Sequence, residues 1–213
     1  MNASALLVVK SLFFILSVKS CDSTPKTAVN PPVTDPITVG IEKPDNKKNT
    51  GKLLTGAEQT DLYVPYLKGK RVGMVVNPTS IIGKETSVDS LLKLGVKIVK
   101  IFGPEHGFRG NASAGVSVDD DIDAKTGIKA ISLYGKHATP TKEDLADVDV
   151  MIFDIQDVGV RFYTYISTLT YLMEAGAENN VEILVLDRPN PHDGYVDGPV
   201  LKKKWESFDY AGI

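Results

Sequence analysis

From residue 54 onward, short β-branched runs alternate with segments whose apolar residues recur at helical spacing. That alternation predicts βαβ units and a parallel sheet flanked by helices, an α/β fold. Five strands are expected, at residues 71–77, 96–102, 130–134, 148–155 and 182–187. Helices are expected at 87–94 and 142–146. A longer helix is expected at 162–178, where Phe162, Ile166, Leu169, Leu172 and Met173 share one face. Residues 103–127 carry glycine and show no period. Loops of that length inside a compact α/β domain are usually functional.

The first 53 residues follow a different pattern. Two apolar runs, 5–9 and 12–18, are split by Lys10 and end at Ser20-Cys21, the sole cysteine of the chain. This pattern predicts a lipoprotein-type signal segment over residues 1–21, with Cys21 as the lipidation site. The apolar run is too short to span a bilayer, which needs about 20 residues. Residues 22–53 are rich in Pro, Thr, Asn and Lys and predict a flexible tether, leaving 54–213 as the folded domain. The expected location is outside the cytoplasm, lipid-anchored to a bacterial membrane and facing the periplasm or exterior.

Composition narrows the chemistry. With 213 residues, 42% hydrophobic content and a net charge of −3, the chain has the balance of one ordinary globular domain, and nucleic acid is not an expected partner. One cysteine and three histidines make neither a disulfide framework nor a metal site expected. No Gly-x-Gly-x-x-Gly or Gly-x-x-x-x-Gly-Lys-Ser/Thr pattern occurs, so no nucleotide cofactor is expected; Gly-x-Ser-x-Gly is missing as well. Acid/base work by carboxylates remains.

Ligands of open α/β sheets bind beyond the carboxyl ends of the strands. The predicted ends carry Asn77-Pro78-Thr79, Gly103-Pro104-Glu105-His106, Tyr134, Asp154-Ile155-Gln156-Asp157 and Asp187-Arg188-Pro189-Asn190. Of only four arginines, Arg109, Arg161 and Arg188 fall just after strands, and arginine suits bidentate recognition of an anion. Two roles stand open for Asp154 and Asp187, namely chemistry, or capping and pairing with Arg161 and Arg188. Tyr163 and Tyr165 read first as helix packing, His106 as a possible loop hydrogen-bonder, and His137 and His192 as structural. Glu105, between Pro104 and His106 in a glycine-bearing loop, has no evident packing or capping task.

Four stretches resemble a known family: Lys68 through Thr79, Phe102-Gly-Pro-Glu-His-Gly-Phe-Arg-Gly110, Phe153 through Tyr165, and Leu186-Asp-Arg-Pro-Asn-Pro191. They are similar to the bacterial exo-β-N-acetylmuramidases, the NamZ-like family. The resemblance implies a Rossmann-like domain beside a smaller C-terminal one that this chain would lack, making it a truncated sequence. It implies a glycosidase that releases N-acetylmuramic acid from the non-reducing end of peptidoglycan fragments. Glu105 would be the catalytic acid, with Asp154 and Asp157 as candidates for a second carboxylate. The substrate's own N-acetyl group could take that second role. Substrate contacts would come from Asn77, His106, Arg109, Gln156, Arg161, Tyr163, Arg188 and Asn190. A non-catalytic module that holds an anionic sugar at the same strand ends is the competing reading.

Overall fold

The computed structural model describes residues 8–9, 53–104, 108–109, 121–192, 194, 196–200 and 202–205. Of the residues singled out above, Cys21, Glu105 and His106 lie outside that set, as does nearly all of the expected leader and tether.

The elements in chain order are β1 (Val8–Val9), α1 (Thr60–Leu67), β2 (Val72–Val76), β3 (Ile81–Ile82), β4 (Glu85–Thr86), α2 (Ser87–Lys93), β5 (Ile98–Gly103), β6 (Asp121–Ile122), β7 (Lys129–Ser132), α3 (Lys142–Leu145), β8 (Val150–Asp154), α4 (Tyr165–Asn179) and β9 (Glu182–Val185). The main sheet runs β1-β9-β8-β2-β5-β7-β6. Its five central strands are parallel, as the patterning predicts, whereas β1 and β6 add antiparallel edges. Counting only the central strands in chain order, the spatial order is 3-2-1-4-5, that of a Rossmann-like sheet.

Strand β2 sits at the centre and reads Val-Gly-Met-Val-Val with every residue buried, because helices cover both faces and no polar side is needed. The period of two sends Val72, Met74 and Val76 to one face, under Tyr63 and Leu67 of α1 and Val88 and Leu91 of α2. Val75 points the other way, into a cluster with Phe102, Ile131, Met151, Leu145 of α3 and Leu172 of α4. A register shift between β2 and β5 carries Val72 to Ile98 but Gly73 to Lys100. The extra residue restores parity, so Ile98 and Ile101 reach the same cluster although three positions apart.

Local sequence sets the helix ends. Thr86 accepts from Asp89 N to start α2, and Thr141 with Asp144 forms a reciprocal capping box for α3. Helix α4 ends in left-handed Asn180, whose N–H reaches Gly176 O. At Gly176 an added Cβ would lie 2.7 Å from Ile183 Cδ1, so only glycine lets α4 settle this close to β9.

Three features differ from the sequence expectation. Helix α1 was not expected, since Pro65 sits inside it and only Tyr63 and Leu67 are buried. The hairpin β3–β4 turns on Gly83 and Lys84, with Gly83 at φ 63°. Helix α4 starts at Tyr165, not Phe162, and leaves Phe162 exposed ahead of it. Among the described residues no helix is long and apolar enough to cross a membrane.

Candidate active site

Strand order reverses between β2 and β8, the place where open α/β sheets leave a crevice at their carboxyl ends. The loops that follow these two strands are stitched together there. Asn77 is buried and its Oδ1 accepts from Thr79 N at 2.9 Å and Thr79 Oγ1 at 2.5 Å, a turn of the kind asparagine favours. Thr79 Oγ1 in turn accepts from Gln156 N at 3.1 Å. Ser80 Oγ receives Asn77 N at 2.9 Å and donates to Asp154 O, so the β2 loop hangs on the end of β8.

The loop after β9 joins the same assembly. Gln156 Nε2 donates to Asp157 O at 2.6 Å and to Pro189 O at 2.9 Å. Asp157 Oδ1 accepts from Gly159 N at 2.7 Å. Gly159 has φ 69°, and a Cβ there would stand 2.4 Å from Asn190 Nδ2, so glycine allows Asn190 to lie over the turn. Asn190 Oδ1 accepts from His192 N at 2.9 Å. Gln156, Asp157 and Asn190 therefore come together, contributed by two loops far apart in sequence.

Beneath this surface lies a buried ion pair. Asp154, 0% exposed, accepts from Arg188 Nε at 2.8 Å, and Arg188 Nη2 also donates to Ile81 O at 3.1 Å. Burial pushes the Asp154 carboxyl up, against the lowering pull of Arg188 and Ser87. Asp154 Oδ2 and Ser87 Oγ are each buried without a formed hydrogen bond, so Ser87 acts on the carboxylate as a nearby dipole. Tyr63, donating to Ala57 O at 2.9 Å, has its hydroxyl pushed up by burial and then by the Asp154 charge. Of the two open roles for Asp154, the structure displays the pairing with Arg188. Among the described candidate carboxylates, Asp157 is half-buried and reaches solvent, whereas Asp154 does not.

The three strand-end arginines have different surroundings. Arg109 forks onto Asp123, with Nε to Oδ1 and Nη2 to Oδ2 both at 2.7 Å, and its Nη1 lies 3.6 Å from Asp89 Oδ2. Arg188 is committed to Asp154. Arg161 is exposed, with Nη1 donating to Pro199 O at 2.9 Å. It stands beside Phe162 and Tyr163, which meet edge to face at 6.3 Å, and Tyr163 meets Tyr165 at 5.8 Å. Tyr163 is 39% exposed and precedes the helix, so it presents a ring to solvent; half-buried Tyr165 packs on the second core cluster. His137 bonds Asp144 of α3 at 2.9 Å.

Sequence reading missed Thr79, Ser80 and Ser87 as organisers of the crevice, and Asp89 and Asp123 as arginine partners. The Asn-Pro-Thr-Ser run is a turn signal that could have pointed to the first two. The exposed amide, carboxylate, guanidinium and aromatic groups at the crevice can hydrogen-bond and stack on a polyhydroxylated, anionic ligand.

The chain is 46% identical over 179 residues to a peptidoglycan beta-N-acetylmuramidase NamZ of Bacillus subtilis, covering 81% of this chain and 43% of that protein. Two crystal structures of DUF1343 family proteins from Bacteroides fragilis superpose well. One has TM-score 0.64 at 44% identity over 74% of this chain, the other 0.66 at 43% over 73%, and each match covers 40% of the other chain. The chain thus spans less than half the length of these relatives. The family model described as exo-beta-N-acetylmuramidase NamZ, N-terminal, matches residues 72–211, the span that holds β2 through β9 and every strand-end loop above, and the chain belongs to that family.

Proposed function

We propose that this protein is a peptidoglycan-directed glycoside hydrolase that releases N-acetylmuramic acid from the non-reducing end of glycan or muropeptide fragments, as a step of cell-wall recycling. The observation that carries the reading is the family match over residues 72–211, within which Asn77, Gln156, Asp157 and Asn190 gather at one end of the sheet. Glycoside hydrolysis needs a proton delivered to the leaving oxygen and a water or carboxylate that attacks the anomeric carbon. Glu105, next to buried Pro104 at the end of β5, delivers the proton. Asp157, or the N-acetyl group of the sugar itself, serves the opposite face. Exposed Arg161 suits the lactyl carboxylate of the substrate, and Tyr163 offers a ring face to the sugar.

The test is release of N-acetylmuramic acid from a glycoside or muropeptide by the parent protein and by Glu105→Gln. Loss of the proton with retention of shape is expected to cut kcat by about 10²–10⁴, the usual worth of general acid–base catalysis. A variant with parental kcat removes Glu105 from the mechanism. A parent that binds such fragments without cleaving them favours the binding-module reading.

Export and lipid anchoring through Cys21 are part of the proposal, supported by the apolar runs before the unique cysteine and the Pro-rich stretch after it. Mass spectrometry of the mature N-terminus in a bacterial host is expected to find a lipidated Cys21. An unmodified chain beginning at Met1 sinks the anchoring proposal.

A further inference from the structure

Asn77 follows β2 where the strand order reverses, and it is 3% exposed. All but one of its polar groups are engaged within the chain. Its N–H donates to Ser80 Oγ at 2.9 Å, and its carbonyl accepts from Ser80 N at 2.9 Å. Its Oδ1 accepts from Thr79 N at 2.9 Å and from Thr79 Oγ1 at 2.5 Å. A backbone N–H can only donate, so the amide atom that faces Thr79 N must be the oxygen, and the other must be the NH2. That Nδ2 has no hydrogen-bond partner among the described residues. The described side-chain atoms buried without a partner are Ser87 Oγ, Asp147 Oδ1 and Asp154 Oδ2. Asn77 Nδ2 is not one of them, so it keeps contact with solvent at the strand ends.

Thr79 sets this orientation. Its Oγ1 receives the Gln156 N–H at 3.1 Å, which leaves its own proton to go to Asn77 Oδ1. Donation therefore runs one way, from the loop after β8 through Thr79 to Asn77. The rest of the assembly is closed on itself. Gln156 Nε2 is taken by Asp157 O and Pro189 O, and Ser80 Oγ ties the β2 turn to Asp154 O. The loops after β2, β8 and β9 hold one another, and the Asn77 NH2 is left over, facing out.

We propose that Asn77 Nδ2 donates a hydrogen bond to an acceptor oxygen of the bound sugar, and that Thr79 is the positioning residue that locks the Asn77 amide for it. An amide fixed this way offers N–H and no lone pair, so it takes an oxygen and rejects a donor at the same place. Because its rotation is already stopped in the free protein, little side-chain freedom is lost on binding. The proposal deepens the reading of the ligand as N-acetylmuramic acid and rests on it.

The probe is N-acetylmuramic acid itself, titrated into nitrogen-15-labelled protein while the Asn77 side-chain amide, assigned from triple-resonance spectra, is followed. One Asn77 amide proton is expected to move downfield in the parent. Thr79→Val removes the hydroxyl and is expected to weaken binding about 3–10-fold, the worth of one uncharged hydrogen bond, whereas Thr79→Ser restores parental affinity. In the hydrolysis assay Thr79→Val is expected to raise KM by a similar factor at nearly parental kcat. An Asn77 amide that does not respond to the sugar overturns the proposal, as does a Thr79→Val protein with parental affinity. Asn77→Asp keeps the acceptor for Thr79 and replaces the donor with an anionic oxygen; binding is expected to fall at least about tenfold, and parental affinity there overturns the contact even if Thr79→Val does not fold. Release of N-acetylmuramic acid with a silent Asn77 amide sinks this proposal alone. A responsive amide without release sinks the hydrolase reading alone.

Discussion

Strand β8 carries an arginine–aspartate pair at each end, and the two behave in opposite ways. Just before it, Asp149 meets Arg71 through Nη2 to Oδ1 at 2.7 Å, Nε to Oδ2 at 3.2 Å and the Arg71 backbone N–H at 2.7 Å, with both side chains about 40% exposed. Its carboxyl is drawn down to about 2, chiefly by the Arg71 side chain and then by the Arg71 backbone N–H. At the last residue of the strand, Asp154 has a single 2.8 Å bond to Arg188 and no exposure, and its carboxyl is pushed up by burial. The same two residue types thus give opposite shifts. Hydration decides the sign: where water remains, the partner's attraction wins, and where it is removed, the desolvation cost exceeds what one hydrogen bond returns. The polar end of the sheet that gathers the candidate site is built over the buried pair.

The comparison breaks most clearly at Arg188. Arg188→Met leaves a buried carboxyl without its cation and is expected to cost about 3–5 kcal/mol in urea unfolding, whereas Arg188→Met with Asp154→Leu recovers most of that loss. A single-variant loss below about 1 kcal/mol would mean that water reaches Asp154, and the contrast with Asp149 would collapse.

A smaller effect sharpens the contrast by pH. Asp149, with a folded value below its unfolded one, contributes stability that is present above the ordinary carboxylate range and lost as pH falls through about 2. Asp154, raised in the fold, has the opposite sign: its contribution is fullest when the carboxyl is neutral and declines as pH rises from the unfolded value through the folded one. Asp149→Asn is therefore expected to flatten the acid limb of stability between about pH 4 and 2. Its loss at neutral pH is expected to be slight and to shrink further in high salt, because the pair is half in water. An acid limb unchanged from the parent would assign the low-pH loss to other carboxylates, such as Asp123.

Much of the sheet was legible along the chain. Residues 71–77, 148–155 and 182–187 contain β2, β8 and β9, because a parallel strand covered on both faces must be an apolar run, and such runs are visible locally. Helix α1 was not legible: its proline and two buried residues make a weak stripe, and its position depends on the groove over β2 and β9 that Tyr63 and Leu67 fill. The stretch 103–127, which shows no period, contains β6, a two-residue strand defined only by its pairing with Ala130 and Lys129.

The candidate site divides along the same line. Residue types and strand ends, read from the sequence, already placed Asn77, Gln156, Asp157 and Asn190 on loops that a parallel sheet brings to one edge, because alternation and period are local properties of the chain. Which arginine is spoken for, and by which carboxylate, was decided only in three dimensions. Arg109 and Asp123 are 14 residues apart and Asp154 and Arg188 are 34 apart, and nothing local selects those partners over Asp157 or Asp187. Strand order and burial select them, since the free energy of a charge depends on how much water the rest of the fold removes from it.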